Sequence, residues 1–186
     1  MYGVIGEGES DAQMLKVLIR RISNNKSLAV LAIDFGGCGD ILRKGAAQLR
    51  SFANTGCSKF VVCHDADGPD PQPKRRLVLE RVVVPSKCEN CCILIPVQEI
   101  EAWILADIDN VARYVAPSWV QLPFVGNPES EEKPKKTLER LSRQSNKRPR
   151  YAHAVDNLQI AKHINWQRVQ SRCNSFRPLV EFVLRQ

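Results

Sequence analysis

The chain predicts an α/β fold, a mainly parallel four-stranded sheet flanked by helices with a helical C-terminal extension. Three observations carry this reading. Over residues 1 to about 100, short apolar runs alternate with segments of helical periodicity, the pattern of βαβ units. The runs are apolar on both faces, as strands covered by helices on two sides require. From residue 99 onward the periodicity is helical throughout.

Taken in order, "YGVIG" (2 to 6) is strand one. "DAQMLKVLIRRI" (11 to 22) is the helix after it, with Met14, Leu15, Leu18, Ile19 and Ile22 at spacings of three and four. Ser10 is placed to cap that helix, and Asp11 suits the positive end of its dipole. "SLAVLAIDF" (27 to 35) is strand two, closed by "GGCGD", and "ILRKGAAQLRSF" (41 to 52) is its helix. "KFVVCHD" (59 to 65) is strand three. Prolines 69, 71 and 73 delay the next element to about residue 74, where a short helix or an extra strand fits. "CCILIPV" (91 to 97) is strand four. The rest reads as helices at 99–115, 135–144, 157–164, 166–173 and 176–186, with a loop at 117–132. The expected division is residues 1–107 as the sheet domain and 108–186 as a helical extension packed on it.

Twenty-seven Lys and Arg against 20 Asp and Glu give a net charge of +7, which suits a polyanionic partner such as nucleic acid. No apolar run approaches the roughly 20 residues of a membrane span, and no signal-like segment opens the chain, so a cytoplasmic protein is expected. Seven cysteines without an export signal argue against a disulfide framework. Cys88, Cys91 and Cys92 include one C-x-x-C, but no second pair or paired histidine follows, so a required zinc is not expected. Neither G-x-x-x-x-G-K-[ST] nor G-x-G-x-x-G follows a strand, which disfavours a nucleotide-binding domain.

Acid gathers where strands end. Glu7 follows strand one, Asp65 and Asp67 end strand three, and Glu99 and Glu101 follow strand four, all on the carboxyl edge of one parallel sheet. Alternation along "HDAD" puts Asp65 and Asp67 on one side, close enough to share a cation or hold two neighbouring ones, and turns His64 to the other side to pack. Crowded carboxylates repel unless a cation, a proton or basic side chains compensate, and oxygen-only ligands suit magnesium or manganese. Glu99 and Glu101 diverge by about 100° to either side of Ile100, so Glu101 is preferred in a first helical turn. Asp34, near the end of strand two, is a further acid at that edge. Asp11 and Glu9 read as capping or exposed. Trp103 shares a helical stripe with Ile100 and Ile104 and reads as core, not a base-stacking platform.

"VIGEGESD" resembles the glycine-flanked glutamate motif of the Toprim domain shared by topoisomerases, primases and overcoming-lysogenization-defect (OLD) nucleases, and "VVCHDAD" resembles its D-x-D motif. The likeness covers about residues 1 to 107. "PVQEIEAWILAD", "KPKKTLERL" and "FRPLVEFV" further resemble a small stand-alone OLD-like group of bacteria, often encoded beside an ABC- or AAA-type ATPase. The resemblance implies Glu7 as metal ligand and general base, Asp65 and Asp67 as metal ligands, and Glu101, with Glu99, completing the site. It implies Lys135 or Lys136 as the positive charge near the scissile phosphate. His153 departs from the group's pattern, which has a lysine soon after the tyrosine. The function implied is a magnesium- or manganese-dependent nuclease acting on DNA or RNA, in anti-phage defence with an ATPase partner. The alternative is a non-catalytic nucleic-acid-binding or regulatory subunit of an ATPase complex.

Overall fold

In the computed structural model, which describes residues 1–117, 119, 124–143 and 151–185, four parallel strands stand in the order β2-β1-β3-β4. β1 (Tyr2–Gly6) lies between β2 (Val30–Asp34) and β3 (Lys59–Cys63), and β4 (Cys91–Leu94) pairs with β3. The predicted parallel sheet is therefore present. Strands two to four are shorter than their apolar runs, because burial continues into the turns; Ile95 stays buried beyond β4. The chain leaves β1 for β2 and then crosses to β3 on β1's other side. The carboxyl ends of β1 and β3 thus flank the point where strand order reverses, where open α/β sheets form a crevice.

Alternation sorts the strand residues onto two faces. Val4, Val61, Cys63, Cys92 and Leu94 point to one core, and Ile5, Phe60, Val62 and Ile93 to the other. α2 (Cys38–Asn54) covers the second face with a continuous helical stretch made of α3 (Gln72–Val78), a π-turn at Leu79–Val83 and α4 (Val84–Ser86). Of the two readings open in the sequence, helix wins here. Pro71 precedes the helix and Pro73 falls in its first turn, where a missing N–H forfeits no bond.

α1 (Glu9–Ile22) covers the first face with the helices of the second half: α5 (Glu101–Leu105), α6 (Ile108–Tyr114), α7 (Pro134–Leu141), α8 (His153–His163), α9 (Trp166–Arg172) and α10 (Arg177–Leu184). Ile108, Leu138, Ile160, Phe176 and Leu179 join the same core as Val4 and Leu94, so the described helices after residue 107 bury their apolar faces on the sheet. Arg21 ties the layers together, donating to the carbonyls of Ala161 (2.8 Å) and Ile164 (2.6 Å) at the end of α8. The single helix expected over 99–115 is broken at Asp107. Its fully buried carboxylate accepts the Asn165 N–H (2.6 Å) and Asn110 Nδ2 (3.0 Å) and so caps neighbouring turns. Trp103 is core, as expected, with its ring edge-on to Phe176 at 4.9 Å and Nε1 donating to Ser175 Oγ. No described helix is long and apolar enough to cross a membrane.

The adjacent Cys91 and Cys92 face opposite sides of the sheet; Cys92 packs into the first core and Cys91, with Cys88, against the second. Burial pushes both the Cys91 and Cys92 thiols up to about 12, so neither is a ready thiolate. A Cys91→Ser variant is expected to melt within roughly 3 °C of the parent, with chelator changing neither curve. Stoichiometric zinc, lost together with folding in the variant, would contradict this.

Candidate acidic site at the carboxyl edge of the sheet

Strand ends and helix starts build the site. Gly6 closes β1 against the first turn of α1 so tightly that a Cβ there would lie 2.6 Å from the Ala12 nitrogen. Only glycine lets the chain turn there and leave Glu7 at the sheet edge. The cap of α1 is not Ser10. The helix begins at Glu9 with Gly8 as N-cap, and the Asp11 carboxylate, in the third helical position, accepts the Gly8 N–H at 3.2 Å and the Ser10 hydroxyl at 3.1 Å. Asp11 is thereby drawn into the cleft rather than left exposed.

An open cleft of about 530 Å³ lies over this edge, lined by Glu7, Asp11, Asp34, Asp65, Glu101, Lys135 and His153, with the Gly36–Gly37 turn at its rim. It gathers acids from the ends of all four strands. Glu7 Oε2 accepts the Asp65 N–H at 3.2 Å, which links the β1 and β3 ends directly. His64 is fully buried, and its Nδ1 lies 2.9 Å from the Asp65 carbonyl and 3.3 Å from Glu7 Oε2. The expectation that His64 merely packs away from the acids is therefore corrected. The backbone turns after Cys63 and brings the ring beneath Glu7. Burial holds the imidazole below its usual range, and the neutral ring's Nδ1–H is the donor that suits the Asp65 carbonyl.

Asp67 and Glu99 do not enter this cleft with Asp65. Strand alternation stops at Asp67, whose φ of +53° is left-handed, as is Gln98 opposite at +61°. The two turns are stitched by Asp67 N–H to the Gln98 carbonyl (3.2 Å) and Gln98 N–H to the Gly68 carbonyl (3.2 Å). The turn sends the Asp67 carboxylate to Lys74, 3.1 Å away, on an adjoining groove shared with Glu99, Glu132, Lys133 and Lys136. The expected Asp65–Asp67 pair on one cation is thus not formed in this arrangement. Glu99 Oε2 instead accepts the Lys135 N–H at 3.1 Å, at the start of α7.

Glu101, in the first turn of α5, is 2% exposed and faces Lys135 Nζ at 3.5 Å. Burial raises the carboxyls of Asp65, Glu101 and Asp11, and neighbouring acids add to this for Asp65 and Glu101. Asp65 is raised furthest, with Asp11, Glu7, Glu101 and Glu99 around it. Burial opposes the charge on Lys135, yet Glu101, Glu99 and Asp11 together outweigh it and hold the ammonium above its usual range. The cleft is a crowd of acids answered by a single described lysine. Among the described residues no three His, Cys, Asp or Glu side chains are gathered as a metal cage. The donors line the wall without converging, yet they are all hard carboxylate oxygens, which matches magnesium or manganese in kind.

A family model described as a domain of unknown function, DUF4276, matches residues 6–184. The chain belongs to the DUF4276 family. Comparison with curated proteins and with solved structures finds no match. The match of this DUF4276 chain runs through both the sheet and the C-terminal helices, and the cleft needs both. Glu7, Asp11, Asp34 and Asp65 come from the first part, while Lys135 and His153 come from α7 and α8. Sequence reading underweighted Asp11 and missed the reach of His64. It gave no role to Tyr151, whose hydroxyl lies 3.0 Å from Glu101 Oε1. A lone tyrosine after a basic stretch carries no signal of its own; only the fold brings it back to Glu101.

Proposed function

We propose that the cleft is a magnesium- or manganese-dependent site for phosphodiester hydrolysis, and that this DUF4276 chain is a cytoplasmic, OLD-like Toprim nuclease acting on DNA or RNA, in anti-phage defence with an ABC- or AAA-type ATPase partner. The observation that carries the reading is that Glu7, Asp65 and Glu101 line one open cleft at the strand-order reversal, with Lys135 as the one lysine among the described residues that faces them. Glu7, Asp65 and Glu101 would hold the ion, with Asp11 behind them. Bound there, a divalent ion would supply Lewis acidity toward a phosphoryl oxygen and lower the pKa of its water. Glu7, which accepts the Asp65 N–H and lies against His64, would take a proton from the attacking water. Lys135 would face the charge that develops on the phosphate.

The test incubates the full chain with plasmid, single-stranded DNA and tRNA under magnesium, manganese or chelator, with and without the neighbouring gene product. Cleavage that needs metal and vanishes in Asp65→Asn is expected. Binding without cleavage in every arm would favour the regulatory-subunit reading.

The basic segment 132–151 is proposed to bind phosphate backbone; residues 144–150, with Lys147 and Arg148, lie outside the described residues. Lys133 and Lys136 are exposed beside the cleft. Replacing both by alanine is expected to weaken binding to all sequences alike and to flatten the log–log salt slope by about 0.7–0.9 for each phosphate that is no longer neutralised. An unchanged slope would leave these lysines as a solvated face.

A further inference from the structure

Tyr151 belongs to the C-terminal region, 50 residues from Glu101 in sequence, yet its hydroxyl lies 3.0 Å from Glu101 Oε1 in the interior. Three interactions fix it. Its backbone N–H donates to Ser142 Oγ at 2.7 Å, its ring stands edge-on to Trp119 at 6.0 Å, and its hydroxyl also meets the Asn157 amide at 2.6 Å. Tyr151 and Asn157 are 3% and 0% exposed, so water does not compete for these bonds. One hydroxyl hydrogen cannot serve two acceptors. With the amide turned so that its nitrogen faces the phenol, Asn157 donates to the Tyr151 oxygen and Tyr151 donates to Glu101.

We propose that Tyr151 is a positioning residue for the acidic cleft: backed by Asn157, its hydroxyl holds Glu101 Oε1 so that the other carboxylate oxygen is presented to a divalent cation. This inference rests on the reading of the cleft as a divalent-ion site. Both the Tyr151 hydroxyl and Lys135 Nζ approach Oε1, so Oε2 is the oxygen these partners leave for the ion. A buried carboxylate without such a donor would turn toward Lys135 alone, and a ligand held in two orientations binds an ion more weakly. The C-terminal region is then part of the site and not only a cover for the sheet.

The test is manganese binding to the full chain, followed at one temperature by loss of the free-ion electron paramagnetic resonance signal, for wild type, Tyr151→Phe and Phe182→Leu. Phenylalanine at 151 keeps the ring against Trp119 and removes only the hydroxyl. Phe182 is buried edge-on to Tyr2 at the start of β1, the end of the strand away from the cleft. Tyr151→Phe is expected to raise the manganese dissociation constant by about 10–100-fold while its metal-free melting temperature stays near the parent's. Phe182→Leu is expected to lower the melting temperature and leave manganese affinity unchanged. An unaltered affinity in Tyr151→Phe, an equal loss in Phe182→Leu, or a Tyr151→Phe chain that fails to fold while Phe182→Leu folds would each overturn the positioning role. A wild-type chain that binds no manganese would overturn the divalent-ion site itself, and this inference with it.

Discussion

Asp65→Asn is expected to melt at a higher temperature than the parent without metal, yet to lose metal-dependent cleavage by more than about 100-fold. The two effects have one origin. Asp65 is buried among Asp11, Glu7, Glu101 and Glu99, so its ionised form is disfavoured in the folded chain. A carboxyl raised in this way stabilises the fold below its unfolded value of 3.8, and that contribution is lost as pH rises toward the native value. The melting advantage of Asp65→Asn should therefore be small near pH 4 and grow toward neutrality. Saturating manganese should reverse the order, because an ion that binds only the folded state stabilises it by mass action and the variant lacks a ligand. Asp67→Asn is the contrast: its carboxylate is 60% exposed and pairs with Lys74, so the substitution removes less than about 1 kcal/mol. Were Asp65 a cap or ion-pair partner instead, Asp65→Asn would destabilise at neutral pH and manganese would raise both melting curves equally.

Trp103→Ala should cost about 3–5 kcal/mol, a large part of the stability of a domain this size. The side chain is fully buried between the sheet and the C-terminal helices, packs edge-on against Phe176 and donates to Ser175 Oγ. Its loss would leave a cavity where α5 meets the Asn174–Phe176 turn and strand the Ser175 hydroxyl. Because α5 also carries Glu101, the damage should reach the cleft. Trp103→Phe, which keeps most of the volume, should lose roughly half as much or less. Chemical denaturation of the three proteins checks this. A Trp103→Ala chain as stable as the parent but weakened in nucleic-acid binding would mean that the indole stacks on bases.

The sheet was legible because its strands are apolar on both faces and its helices repeat at three and four, and both patterns follow from local periodicity alone. Glu7, Asp65 and Glu101 were legible as site candidates because parallel strands must end at one edge. Asp67 was misplaced for a local reason: period-two alternation assumes extended backbone, and a left-handed residue there breaks the count. The kink at Asp107 and the reach of Tyr151 to Glu101 were not legible. Each depends on a partner about 50 or more residues away, Asn165 for the one and Glu101 for the other. Asp11 was half legible, since an acid in a first helical turn reads as a cap and it does cap Gly8, while its place in the cleft appears only once β3 and α5 are packed beside it.

Anomalous scattering from manganese in crystals of the full chain would show whether this cleft holds a divalent ion. A peak is expected within about 2.5 Å of carboxylate oxygens from Glu7 and Asp65, with Glu101 drawn toward it. Crystals grown in saturating manganese that show no peak in the cleft, or a peak only at the Asp67–Glu99 groove, would contradict it.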